Sequence, residues 1–176
     1  VYQSEFCRHS ADRFLGEVKV PSPVLYNPVD TEQFTPSDIP SSLDSWQLLV
    51  TGTHLQPDRV LLILKALANL KNRGHDAKLV IAGRLGWPDG EKETLDVIKK
   101  LNLTGNVELL GSYTQDQAPA IYQAAHILFH IKYKDPCPTV PIEAMSCGVP
   151  VIGSFSGGMP ELVSDEGGVL LEVPDV

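Results

Sequence analysis

From residue 48 to residue 173 the chain alternates short apolar runs with segments of helical period, and few folds satisfy that order. The apolar runs fall at 48–51, 79–82, 107–110, 126–131, 149–153 and 169–173. They are continuous rather than alternating, which marks strands covered on both faces. Between them, 58–71 carries Leu61, Leu62, Leu64, Leu67 and Leu70 at helical spacing. The stretch 91–101 does the same with Leu95, Ile98 and Leu101. Thr114 followed by Gln117 is a capping box for a helix that runs through Ala124. Shorter helices are expected at 143–147, ended by Gly148, and at 160–164. Strand and helix in strict turn predict an α/β fold, a Rossmann-like parallel sheet flanked by helices.

The first part of the chain follows a different pattern. Residues 1–20 predict a helix begun by Ser4 and Glu5, with Phe6, Phe14 and Leu15 on its apolar side and Gly16 at its end. Residues 24–26 predict a short strand, and the polar, Pro- and Ser-rich stretch 35–45 a loop or linker.

Composition excludes several classes of function. A net charge of −8 argues against nucleic acid as a partner, which wants a basic stripe. No apolar run approaches the ~20 residues of a membrane span. The three cysteines (Cys7, Cys137 and Cys147) form no C-x-x-C pair, so the expectation is a reduced, cytoplasmic protein without zinc. At 176 residues the chain is long enough for one domain with an adequate core.

The chemistry concentrates in Asp135-Pro-Cys-Pro-Thr-Val-Pro-Ile-Glu143, where two carboxylates stand eight positions apart between two strands. Strand, loop, helix start and strand form the arrangement in which α/β proteins hold phosphates, because first-turn N–H groups lack partners and the helix dipole is positive there. Pro138 contributes no N–H, which leaves Thr139 and Val140 as backbone donors. Each carboxylate has a plainer reading as a loop or helix cap.

The string Asp135…Glu143-Ala-Met-Ser-Cys-Gly-Val-Pro-Val-Ile-Gly, followed by Gly157-Gly158-Met-Pro-Glu161, resembles the donor-site signature of the group 1, or family 4, glycosyltransferases. That family is retaining, has the GT-B fold of two Rossmann-like domains and uses nucleotide-diphosphate sugars. The resemblance implies that this chain is the C-terminal half of such an enzyme. Residues 1–34 would be the end of the N-terminal domain and the crossover, and 35–176 the nucleotide-sugar-binding domain, trimmed before a final helix. Asn27, Val29, Asp30 and Phe34 match the family's crossover pattern.

By the same resemblance Glu143 binds the donor ribose, and Asp135, where the family has Glu, lies beside the donor sugar. Pro57-Asp58-Arg59 resembles Pro-Glu-Lys, which puts Arg59 on the diphosphate and, with Asp135, among the catalytic groups. Gly52, Thr53 and His54 occupy the loop where the family carries an Arg; here that position falls on Thr53 or His54. Gly83 and Arg84 follow the second strand beside the nucleotide, Arg84 being either a phosphate contact or a solvated side chain. Tyr113 flanks the base. Glu161 reads as structural. No cofactor and no metal are expected. The implied partners are the nucleotide-sugar donor, a glycan or lipid-linked acceptor, and the missing N-terminal domain, through which the protein would touch the inner membrane face. The lost Arg and the Asp for Glu also fit a catalytically degenerate nucleotide-sugar-binding module. The fold type alone would admit a nucleotide-sugar epimerase.

Overall fold

A computed structural model describes residues 1–38 and 45–173; the expected linker lies partly outside these, and residues 174–176 wholly so. The strands are β1 (Trp46–Thr51), β2 (Ala77–Ala82), β3 (Val107–Gly111), β4 (Ile127–His130), β5 (Val151–Ser154) and β6 (Gly168–Leu171). They form one six-stranded sheet in the order β3-β2-β1-β4-β5-β6, every neighbouring pair parallel. The helices are α1 (Glu5–Leu15), α2 (Asp58–Asn72), α3 (Gly90–Lys100), α4 (Ala118–Gln123), α5 (Thr139–Ser146) and α6 (Met159–Leu162). A single 3-10 turn, Gln115–Gln117, leads into α4 and carries the expected capping box.

Because side chains alternate across a strand, each strand feeds two cores. Leu48 and Val50 of β1 join Leu79 and Ile81 of β2 under α2 and α3, with Val60, Ile63, Leu64 and Leu67 as the helical stripe. Leu49, Leu128 and Val151 face the other way, onto Tyr122, Ala144 and Met159 from α4, α5 and α6. Leu64 and Leu67 are fully buried, so truncating either to Ala should cost about 2–5 kcal/mol.

The order of strands places the site. From β1 the chain builds outward through β2 and β3, then returns to start β4 on the other side of β1. The connections leaving β1 and β4 therefore diverge and open a crevice beyond their C-terminal ends.

Several expectations are corrected here. Helix α5 begins at Thr139, so Glu143 sits inside it rather than opening it. Phe14 and Leu15 are exposed, not an inward side of α1. The stretch 24–26 is no strand; Val24 makes one isolated bridge to Tyr2. The remaining boundaries shift by at most three residues: β1 and β2, for example, start two residues earlier, at Trp46 and Ala77. Helix α1 is as expected at both ends: Cys7 N donates to Ser4 Oγ at 3.1 Å, and Gly16 N–H closes on Asp12 O.

Candidate functional site

A cavity of about 270 Å³ opens at the divergence of β1 and β4. The loop after β1 supplies Gly52, Thr53 and His54, and the first turn of α2 supplies Arg59. The end of β4 supplies His130, the loop after it Lys132, Asp135 and Cys137, and the start of α5 presents Pro138, Thr139 and Val140. Of the four N–H positions at the start of α5, Pro138 and Pro141 have none. Thr139 and Val140 are thus the two first-turn donors, at the positive end of an eight-residue helix.

Asp135 is the buried anion of the cavity, 6% exposed. Its Oδ2 lies 2.9 Å from Lys132 Nζ and 3.2 Å from His130 Nε2. Burial pushes the carboxyl up, but hydrogen bonds from His130 and Lys132 and the charge of Lys132 prevail and hold it below its ordinary 3.8. The loop that carries it is fixed from behind. Gly158 N donates to Asp135 O at 2.8 Å, and a Cβ on Gly158 would meet Pro136 O at 2.0 Å. The tandem glycines are what let the two loops touch.

Arg59 is partly buried and bonds Gln56 Oε1 at 3.1 Å, while its Nε is buried with no partner. Burial lowers its pKa from 12.5 and the nearby Asp135 offsets part of that, so the guanidinium stays a cation. His54 differs. It is 3% exposed, and its Nε2–H donates to Ala82 O at 3.0 Å. Burial is the main cause of a pKa below 6.5, which leaves the ring neutral at pH 7. Thr53 is exposed and uncharged. The β1 loop therefore brings no cation to the cavity.

Glu143, one turn along α5 from the lining residue Val140, is outside the cavity's lining and is half-buried. Tyr122 Oη donates to its Oε2 at 2.7 Å and Gln115 Nε2 to its Oε1 at 3.1 Å. Tyr122 is fully buried, and that burial, then the bond to Glu143, pushes its hydroxyl far above the usual tyrosine range. Tyr113 bonds Thr51 at 2.5 Å through the two hydroxyls, joining the end of β1 to the turn after β3. Gly83 and Arg84 line a separate groove of about 250 Å³ with Gly111 and Ser112. Arg84 is exposed there. Gly83 has φ +103°, and a Cβ on it would meet Gly52 O at 1.9 Å, so only glycine lets the β1 and β2 loops approach this closely.

Eight of the twelve expected site residues thus share one cavity: Gly52, Thr53, His54, Arg59, Asp135, Pro138, Thr139 and Val140. His130 and Lys132, which also line it with Asn27 of the crossover pattern, carry no spacing signal except the i,i+3 charge pair of Lys132 with Asp135. The partners of Glu143 lie 21 and 28 positions away and have no local signature. Glu161 is structural: its carboxylate accepts from Glu5 N and Phe6 N at 2.7 Å each and from Tyr26 Oη at 3.0 Å, pinning α1 to α6.

A family model described as glycosyl transferases group 1 matches residues 33–176. The chain belongs to that family. Among curated relatives, the phosphatidylinositol N-acetylglucosaminyltransferase gpi3 subunit of Schizosaccharomyces pombe is 29% identical over 142 residues, 80% of this chain and 30% of that protein. D-inositol 3-phosphate glycosyltransferase of Salinispora tropica is 31% identical over 120 residues, 64% of this chain and 25% of that protein. Among solved structures, Anabaena Alr3699/HepE in complex with UDP aligns with a TM-score of 0.78 at 23% identity, over 97% of this chain and 49% of that one. Sucrose-phosphate synthase from Thermosynechococcus elongatus aligns with a TM-score of 0.82 at 21% identity, over 99% of this chain and 45% of that one. The chain spans under a third of the length of these two curated relatives and about half of the two solved chains. The fold is the Rossmann-like α/β half of GT-B glycosyltransferases, as its sequence resemblance implied.

Proposed function

We propose that this chain is the donor-binding domain of a retaining glycosyltransferase that moves a sugar from a nucleotide-diphosphate carrier to an acceptor. The observation that carries the reading is the cavity at the β1/β4 divergence. There Arg59, Lys132 and the Thr139 and Val140 N–H groups converge beside a buried, ionised Asp135. Fixed donors and cations of this kind stabilise charge that develops on a departing diphosphate, and need little reorganisation to do so. The bond from the sugar's anomeric carbon to the phosphate oxygen breaks with its electron pair going to the diphosphate. The acceptor hydroxyl oxygen forms its bond on the same face, and its proton passes to the departing phosphate oxygen. Asp135 lies on the sugar side, and Glu143, held by neutral donors, is placed for a ribose hydroxyl. The groove at Gly83, Arg84 and Tyr113's turn is assigned to the base. No metal enters the scheme, because side chains supply the positive charge.

Support comes from family membership and from HepE, a structural neighbour solved in complex with UDP and with UDP-glucose. We place the acceptor site on a further domain and the protein in the cytoplasm; the three cysteines are free. The domain alone should then bind donor and transfer nothing. Ligand-observed NMR over UDP-, GDP- and ADP-sugars tests the first half of that statement, with Glu143→Ala as control. Transfer by residues 1–176 alone would overturn the division of labour.

One observation favours a second reading, a nucleotide-sugar-binding module without turnover. His54 is neutral and turned onto the Ala82 carbonyl, so the β1 loop lacks the family's charge. Absence of turnover by the longer protein, with donor binding intact, would select this reading.

A further inference from the structure

The geometry points to Lys132 as the second cation of the diphosphate site, held at the cavity by Asp135 and supplying the charge that the β1 loop lacks. The inference rests on the proposed donor site, because it names which side chain meets the diphosphate there.

Three observations converge on Lys132. First, the β1 loop offers only a neutral, buried His54 and an uncharged Thr53, which leaves Arg59 as its nearest permanent charge. A diphosphate met by one guanidinium is under-neutralised, and the remaining charge must come from elsewhere in the lining. Second, Lys132 lies in that lining on the loop after β4, whereas Arg59 comes from the first turn of α2, after β1, so the two cations reach the cavity from its two diverging walls. An anion between the two walls would be gripped from both sides. Third, the ammonium is anchored without being used up. It meets Asp135 Oδ2 at 2.9 Å, yet its side chain stays 39% exposed, and an ammonium carries three donors.

The anchor is what separates Lys132 from an ordinary surface lysine. A solvated lysine samples many rotamers and must lose that freedom when it grips a ligand. Here the buried carboxylate has already restricted the side chain, with His130 sharing the same oxygen. Asp135 and His130 are thus positioning residues toward Lys132, whatever Asp135 does toward the sugar. Arg59 and Lys132 together outnumber the single carboxylate, so the cavity keeps a net positive charge for an anion. The competing account is that Lys132 only neutralises Asp135 and never meets a ligand.

Calorimetric titration of the chain with inorganic pyrophosphate and with UDP separates the two. The proteins are wild type, Lys132→Ala, Lys132→Gln, Lys132→Arg and Glu143→Ala. Losing one charge-assisted contact should weaken both ligands by about ten- to a hundred-fold in Lys132→Ala and Lys132→Gln. Lys132→Arg should recover most of the loss, and added salt should weaken wild type more than Lys132→Gln. Two lysine variants guard against one that fails to fold, and thermal unfolding identifies it. Affinities within two-fold of wild type in a folded Lys132→Gln overturn the inference while leaving the donor site standing. Wild type binding neither ligand overturns both. Glu143→Ala losing UDP but keeping pyrophosphate shows that the two parts of the site are read separately, and supports both.

Discussion

The two carboxylates of the β4–α5 segment are eight residues apart and live in different worlds. Asp135, on the loop, is almost fully buried and bound by the cationic side chain of Lys132 and by His130. Glu143, inside α5, is half-buried and held by two neutral donors, Tyr122 and Gln115. The contrast teaches how one motif divides its work. A carboxylate locked to a lysine organises charge and is costly to disturb. One held by a hydroxyl and an amide keeps lone pairs free to accept a ligand hydroxyl beside those partners. Identical chemistry at the two positions thus yields an electrostatic part and a recognition part.

The comparison can be broken hardest at the support of the Asp135 loop. Gly158→Ala should destabilise the fold by about 3 kcal/mol, because the new Cβ would fall 2.0 Å from Pro136 O and one loop must move. Chemical denaturation measures this; the loss should come with weakened pyrophosphate binding. A second change targets Asp135 itself. In a protein that joins this chain to the proposed acceptor domain, Asp135→Asn should slow transfer by about a hundred-fold or more under single turnover. UDP affinity should hold within a few-fold, since an anion is removed from beside the diphosphate as the anchor of Lys132 is weakened.

Glu143→Ala should cost about 1–3 kcal/mol of stability, because the buried Tyr122 hydroxyl loses its acceptor. Glu143→Gln should recover most of that in denaturant titrations. If Glu143→Ala left stability untouched, the contrast between the two carboxylates would lose its structural side.

Acid sharpens the same contrast. The folded-state pKa of Asp135 is lowered from 3.8, so below that pH the unfolded chain binds the proton first. Stability from this group is therefore complete above about pH 4 and is lost as the pH falls through the folded value. His54 has the same sign from a higher start: its pKa is lowered from 6.5, and stability declines as the pH drops below that. Asp135→Asn should flatten only the steeper limb below pH 4, measured by denaturant midpoints across pH. The smallest effect belongs to Arg84→Ala. That side chain is exposed in the neighbouring groove, so pyrophosphate affinity should not change and UDP affinity should shift by at most a few-fold.

Much of the architecture was legible in the chain because apolar runs and helical stripes report burial directly. The Asp135 and Arg59 walls were legible through the family signature. The start of α5 was not, and the reason is specific. Proline usually interrupts a helix, yet Pro138 and Pro141 are tolerated at the cap and in the first turn, where an N–H has no partner in any case. The exposed Phe14 and Leu15 mislead in the opposite direction: apolar residues in a helix say which side is apolar, not what covers it. His130 and Lys132 were passed over because they meet Asp135 only through the path of the loop, which turns at Lys134 with φ +53°. Tyr122 reaches Glu143 only once the sheet has brought α4 beside α5.

The central claim is that the cavity between the β1 and β4 loops holds the diphosphate of a nucleotide sugar. Calorimetric titration of the protein with a panel of UDP-, GDP- and ADP-sugars, beside Glu143→Ala, tests it most directly. The account predicts saturable binding that prefers one nucleotide and is lost in the variant. Binding that Glu143→Ala leaves unchanged, or no binding of any donor, would contradict it.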